Sequence, residues 1–580
     1  MEGLEVTVLL GLTILAGTLL APRIRLALPL VLVIFGLILG FVPALREVQL
    51  PPETVLLLFL PVMLFWESLT TSLRSIRRDF RYILPMSTLL VVASAFAVAW
   101  VGTLFGMPWE IALILGAAVA PPDATAVAAL GRLLPRRGFM KLKAESLTND
   151  GTALVLYAIA VSLAVGGQVT PWSVSWTVIV SYVGGIAAGM VIAALAYVLL
   201  RRSTRTAVIN VTLLLVPFTA FLVAELIEAS GVLAVVVAGL VIAYVSPRIT
   251  TAASRRQSEA VFPFGVFLLN GALFILIGLE VQYVVHEITA ADVGRLVLQT
   301  LAVWAALIIV RYLFQLLSVP FQRISGPRPP RGLRARARLV STVAGMRGAV
   351  SLAIALSIPT EVGGAGRDEV VVVTAGVILL SLLVQGPLLP AVVRWARLPV
   401  DSAEAEEYEL AERTISGAAL AAIDDLAAEH GIGQEVLDNV RSEGYRLLEF
   451  ANARALAREQ AAIDEEADAL DALLDEPDPY GGASTDGTAP GGDQIDESTD
   501  AVTNGGLQMI ATSTAVDLAQ RSPLVRHEEY TRLKLALLDR RREVLLGLHR
   551  SGTVDDTVVR SISARLDLEQ VRLQGIEEFE

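Results

Sequence analysis

The sequence predicts an all-α polytopic membrane protein: thirteen transmembrane helices in two inverted six-helix repeats, with broken helices 5 and 12, followed by a mainly helical cytoplasmic C-terminal tail. Three observations carry this reading. Apolar stretches of about 20 residues recur from the N-terminus to about residue 397, each long enough to cross a hydrocarbon core of ~30 Å. Basic residues collect in alternate connections between those stretches. Charge also divides the chain, with net +11 over residues 1–400 and net −23 over 401–580. With 54% of its 580 residues hydrophobic, the chain is excluded from the ordinary soluble proteins.

The spans fall at 4–22, 27–44, 51–72, 81–105, 109–131, 146–166, 172–200, 207–228, 231–247, 259–284, 293–322, 338–359 and 369–397. Backbone polar groups in lipid must bond internally, so each is a helix. The first lacks a basic n-region and reads as a span rather than a cleaved signal peptide. One set of alternate connections holds twenty-three basic residues, among them Arg74, Arg77, Arg78, Lys141, Lys143, Arg255 and Arg256. The other set holds Arg46, Arg295 and Arg367. A wrong span count would scramble this asymmetry. It places the N-terminus outside and the basic loops and C-terminus in the cytoplasm, in a multi-pass cell-membrane protein.

Two domains follow: a transmembrane domain over 1–400 and an acidic cytoplasmic tail over 401–580. The tail is helical by pattern over 403–472, 521–549 and 553–574. Residues 475–508 are rich in Gly, Asp, Ser and Thr, and the composition predicts disorder. A docking, dimerising or regulatory tail and an inert solvated extension are both open. There are no cysteines, hence no disulfide and no thiolate metal site. The four histidines lie outside the predicted spans, which argues against an intramembrane histidine relay.

Chemistry concentrates where polar groups interrupt apolar runs. A carboxylate at membrane depth costs roughly 2.5–3.5 kcal/mol on insertion scales, so such groups mark ion or proton pathways. Asp150, in Glu145-Ser-Leu-Thr-Asn149-Asp150-Gly, stands first among them. The competing reading is a carboxylate capping a helix start at the interface. In the fifth span, Pro121-Pro122-Asp123 removes two backbone donors and should break the helix, freeing carbonyls beside Asp123. In the twelfth, Gly345-Met-Arg347-Gly348 puts glycines and a charge in an apolar stretch. The two lie seven spans apart and so face opposite ways across the membrane, which is the sign of a secondary-transporter ion site between inverted repeats. Arg311, midway along the eleventh span, needs an acid, and Glu145 is the candidate. That pairing would leave Asp150 to titrate. Arg347 either compensates broken helix ends or anchors at the cytoplasmic interface. Glu67 is a further acid in span 3. Asn270 reads as an interhelical hydrogen bond, and Glu225 and Glu280 as interfacial acids.

These residues resemble the monovalent cation/proton antiporter-1 family, the NhaP and NHE-type sodium/proton exchangers. The resemblance covers roughly residues 5–400 and, over Arg541–Leu573, its bacterial YjcE-like members. Glu145-Ser-Leu-Thr-Asn149-Asp150-Gly resembles the family's Asn-Asp motif. Ala120-Pro121-Pro122-Asp123-Ala124 resembles its Thr-Asp-Pro segment, and Gly345-Met-Arg347-Gly348-Ala its Gly-Leu-Arg-Gly-Ala motif. By that resemblance Asp150 binds sodium or a proton, Asn149 orients the site and Glu145 is paired with Arg311. Arg347 supports the helix crossing. Ser146, Glu67, Pro122 and Asp123 would ligate or shape the site. The family's threonine is Pro122 here, and its proline is Ala124, with Thr125 the nearest hydroxyl. This leaves ion preference open. The resemblance also implies a homodimer, no cofactor beyond the transported Na+ and H+, and no nucleic-acid partner.

One carboxylate cannot hold a proton and a cation together, so the two compete. Strict alternation then gives exchange of Na+, or Li+, for H+. Asparagine rather than a second acid at 149 predicts electroneutral 1:1 exchange. K+/H+ exchange on the same architecture stays open. More distant rivals are a cation channel, which the inverted breaks disfavour, and an intramembrane aspartyl protease using Asp123 and Asp150, for which the Gly-x-Gly-Asp motif is absent.

Overall fold

In the computed structural model the described residues are 2–24, 26–41, 52–123, 136–167, 170–287, 290–317, 331–359, 362, 364–398, 403–474 and 523–574. Thr125 and the segment 475–508 expected to be disordered lie outside them. Every regular element among the described residues is helical. The first part of the chain runs through α1 (Glu2–Ile24), α2 (Leu28–Leu39), α3 (Pro52–Leu69), α4 (Leu73–Ser87), α5 (Leu89–Leu104), α6 (Trp109–Val119) and α7 (Arg136–Ala164). It continues through α8 (Pro171–Ile179), a π-turn at Val180–Gly184, α9 (Gly185–Arg202), α10 (Thr206–Leu226), α11 (Gly231–Ile249), α12 (Ala252–Glu287) and α13 (Ala290–Leu317). Then come α14 (Arg331–Val343), α15 (Ala349–Leu356), α16 (Gly364–Leu380), a π-turn at Ser381–Gln385 and α17 (Gly386–Ala396). Nine helical stretches among the described residues are long and apolar enough to cross a membrane, and α2, residues 57–69 of α3 and α6 are shorter apolar helices. Many large apolar side chains point outward, as lipid-facing residues must: Trp172 is 78% exposed and Leu195 62%.

Local signals set several boundaries. Ser72 Oγ accepts the Ser75 N–H at the start of α4, and Thr170 with Ser173 forms a reciprocal capping box at α8 ahead of Pro171 at the first turn. Three helices begin well before the expected spans: α4 at Leu73 rather than 81, α7 at Arg136 rather than 146, and α12 at Ala252 rather than 259. Each early turn carries the basic residues that hydropathy assigns to loops. A helix satisfies its own backbone in water as well as in lipid, so it need not end where the apolar stretch ends. Asp150 sits in the middle of α7, and the capping reading fails.

The helices of residues 1–404 sort into two packing groups. One joins α1–α3 with α8–α12; its tightest contact sets α2 against α12, where Cβ atoms at Gly36 and Gly278 would lie 2.1 Å from the Ile275 carbonyl oxygen and 2.2 Å from that of Val33. Only glycine permits so close a backbone approach. The other joins α4–α7 with α13–α17, α6 and α5 forming its densest pair. Contacts between the groups are sparser. Each group thus draws on both sequence halves.

Residues 554–571 also belong with residues 1–404, and a second compact unit holds residues 405–553 and 572–574. That unit contains α18 (Ala403–Ala421, whose last seventeen residues fall in it), α19 (Ile423–Glu429), α20 (Gln434–Leu474) and α21 (Pro523–Ser551). Its core sets Ile423, Val436 and Val440 against Leu533 and Leu537. The last helix, α22, spans Asp556–Gln574.

Candidate functional site

Both interrupted spans are broken where the sequence places the breaks. Helix α6 stops at Val119, just before Pro121-Pro122, and α14 and α15 are separated by residues 344–348. The breaks satisfy one another. The Asp123 N–H donates to the Met346 carbonyl at 2.8 Å. Two segments that lost their helical partners therefore meet through backbone groups, as buried polar groups require. Glycine is needed at this crossing: a Cβ on Gly348 would lie 1.6 Å from Asp123 Oδ2, and one on Gly345 2.7 Å from Arg311 Cδ. Serine 381, in the second π-turn, bonds both the backbone N–H and the carbonyl of Arg347.

Helix α7 lies against this crossing. Asn149 is fully buried and its Nδ2 donates to the Pro122 carbonyl at 3.0 Å. That carbonyl is one the double proline set free. The Asn149 Oδ1 is buried and has no hydrogen-bond partner among the described residues. Asp150, Asp123, Ser146 and Glu67 are all buried. Asp150 lies close enough to Asp123 and Glu67 for their charges to interact. Two residues on from Asp150, Thr152 hydrogen-bonds the Tyr182 hydroxyl at 2.7 Å and so ties α7 to the other packing group.

One turn below, Glu145 and Arg311 form a bidentate pair, Nη1–Oε1 2.6 Å and Nη2–Oε2 3.1 Å, with Arg311 Nε also donating to the Ser341 carbonyl at 3.0 Å. Both side chains are almost wholly buried, 1% and 2% exposed. Breaking a buried pair by removing one partner costs about 3–5 kcal/mol, because it strands the other charge. Among the described residues Glu145 thus occupies the arginine, while Asp150 carries no ion pair.

Several expectations change. Arg347 is 3% exposed within the crossing, so it is not an interfacial anchor, and its Nη1 has no hydrogen-bond partner among the described residues. Asn270 does not show the expected interhelical bond through its oxygen, which is buried without a partner among the described residues. Glu225 is exposed in the last turn of α10. The side chain of Glu280 lies outside those described. Lys143 was absent from the sequence-derived site. Its Nζ donates to Thr70 Oγ1 at 2.5 Å, and its charge reaches Glu67. The signal was present as a lysine seven residues before Asp150, two turns along one helix face, but loop counting hid it.

Residues 10–395 match the transmembrane sodium/hydrogen exchanger family. An uncharacterized Na+/H+ exchanger of Mycobacterium tuberculosis is 37% identical over 98% of this chain and 96% of its own. The uncharacterized Na+/H+ exchanger YjcE of Escherichia coli is 30% identical over 72% of this chain and 82% of its own. Among solved structures, the sodium proton antiporter MjNhaP1 of Methanocaldococcus jannaschii superposes with a TM-score of 0.54 at 16% identity, over 68% of this chain and 98% of that one, a likeness of fold. The chain belongs to the sodium/hydrogen exchanger family of membrane transporters, the monovalent cation/proton antiporters.

Proposed function

We propose that the protein exchanges Na+ for H+, one for one and electroneutrally, through competition of the two ions for Asp150. The observation that carries this reading is the division of labour on α7. Glu145 is neutralised by Arg311, whereas Asp150 is buried without a cation partner among the described residues. A buried carboxylate needs a proton or a cation, and holding either excludes the other. Asn149 Oδ1, Ser146 Oγ and the Asp123 carboxylate supply hard oxygen ligands of the kind such cations take. The Pro122 carbonyl is held in place by Asn149. Glu67 and Asp123 shape the field around the site. Arg347 offsets the carbonyl ends of the broken helices.

In this reading thirteen spans, in repeats 1–6 and 8–13, place the N-terminus outside and residues 401–580 in the cytoplasm. The two packing groups rock about the site to give alternating access. The assembly is a homodimer.

The test is proton-gradient-driven cation uptake in proteoliposomes, comparing Na+, Li+ and K+. Asp150→Asn is expected to abolish uptake of all three while leaving the protein folded and inserted. Uptake retained by Asp150→Asn would remove the carboxylate from the mechanism, and K+ uptake exceeding Na+ would reassign the cargo.

A further inference from the structure

The C-terminal stretch Val554–Val571 packs as part of the transport unit rather than with the rest of the tail. Its polar anchors reach two places. At one end, Asp556 Oδ2 accepts from Ser72 Oγ at 2.8 Å and from the Arg74 N–H at 3.1 Å. Arg74 Nη1 donates to the Val554 carbonyl at 3.0 Å, and Ser75 Oγ donates to Asp555 at 3.3 Å. These partners form the first turn of α4, which packs on α7 in the group carrying Asp150. At the other end, Asp567 takes a bidentate pair from Arg255, with both N–O distances 2.6 Å. Arg255 opens α12, the helix locked against α2 in the opposite group. Asp567 is 5% exposed and Arg255 16%, so this pair is largely shielded from water. Between the anchors, Arg560 is near enough to Glu259 of α12 to attract its carboxylate, while its charge repels that of Lys143 of α7. Val554, Val558, Ile562 and Leu566 recur at helical spacing and are fully buried.

We infer that the Val554–Val571 segment is a clamp that bridges the two packing groups on the basic-loop face and holds them in one arrangement, restraining exchange. It rests on the proposed antiport. If the groups must move relative to one another to carry an ion, a helix bonded to both cannot keep both sets of bonds through the cycle. Charge-assisted, shielded bonds are the strong kind, so their loss should be felt in the rate of leaving the clamped arrangement. The anchors use residues remote in sequence from Asp150.

The test uses the full chain in proteoliposomes. Asp567→Asn and Asp556→Asn are each expected to raise the initial exchange rate, by up to about tenfold for loss of one charged hydrogen-bonding partner. The exchanged pair Arg255→Asp with Asp567→Arg is expected to bring the rate back toward that of the unaltered protein. A second readout does not depend on transport. Because the chain has no native cysteine, Ser75→Cys with Asp555→Cys should cross-link on mild oxidation, and adding Asp567→Asn should lower the yield. Rates of Asp567→Asn at or below the unaltered protein, or a cross-link that fails to form, would overturn the clamp. Absence of cation/proton exchange in the unaltered protein, with the cross-link formed and weakened by Asp567→Asn, would overturn the antiport reading and leave the docking intact.

Discussion

At the scale of single residues the site depends on what is missing from its neighbours as much as on its acids. Gly348 has no side chain, and Asp123 fills the space where a Cβ would be. Gly348→Ala is therefore expected to push Asp123 out of place and break its N–H bond to Met346. The expected outcome is a loss of exchange of at least about a hundredfold, since displacements of about 1 Å in a positioned site cost on that order; flux in proteoliposomes checks it, and retention of normal flux would show that Asp123 has room to move. Asn149 works in the same spirit. It is uncharged, its amide nitrogen holds Pro122, and its oxygen is buried with no hydrogen-bond partner among the described residues. The motif was legible at 145–150 because a polar run inside an apolar one is costly in lipid. The Asp123–Met346 bond was not legible, because it joins residues more than two hundred positions apart through backbone atoms that carry no sequence signal.

At the scale of elements, the breaks at 120–123 and 344–348 follow from proline and glycine chemistry that any reader of the chain can apply. The helix starts do not, because charged first turns extend past the apolar stretch. In the tail, α20 and α21 are joined by Glu443, which takes Lys534 Nζ at 2.8 Å and the Tyr530 hydroxyl at 3.2 Å. Burial pushes the Glu443 carboxyl up, but the hydrogen bond and charge of Lys534, with the Tyr530 hydroxyl, outweigh it and hold the group below the usual carboxylate range. A depressed native pKa stabilises the pair above the unfolded-state value, and that contribution is lost as pH falls through the native one. Protection of the α20 and α21 amides against hydrogen exchange, measured on the full chain, is thus expected to fall on acidification more in the unaltered protein than in Glu443→Gln. At neutral pH the variant should be the less protected of the two. Equal pH profiles would show that the pair contributes nothing. The effect will be modest, since Glu443 keeps 39% of its side chain in water.

At the scale of the molecule, both packing groups contribute buried polar residues to the region around Asp150. Asp123, Asn149, Asp150 and the arginine pair all come from the α4–α7 and α13–α17 group, while Glu67 and Tyr182 come from the other. If one carboxylate alternates between one proton and one cation, the loaded group carries the same net charge in both directions. Exchange rates are then expected to be unchanged when a membrane potential of either sign is imposed with potassium and an ionophore; a rate that follows the potential would require a second charge per cycle. The sequence by itself determined the family, the apolar helices, both broken spans and the acids of α7, because each is written in local composition or in a charge that lipid penalises. Tertiary structure alone decided which backbone groups meet at the crossing, how the helices divide into two groups, and that residues 554–571 join both. Those outcomes depend on contacts between distant segments, where geometry rather than composition selects the partner.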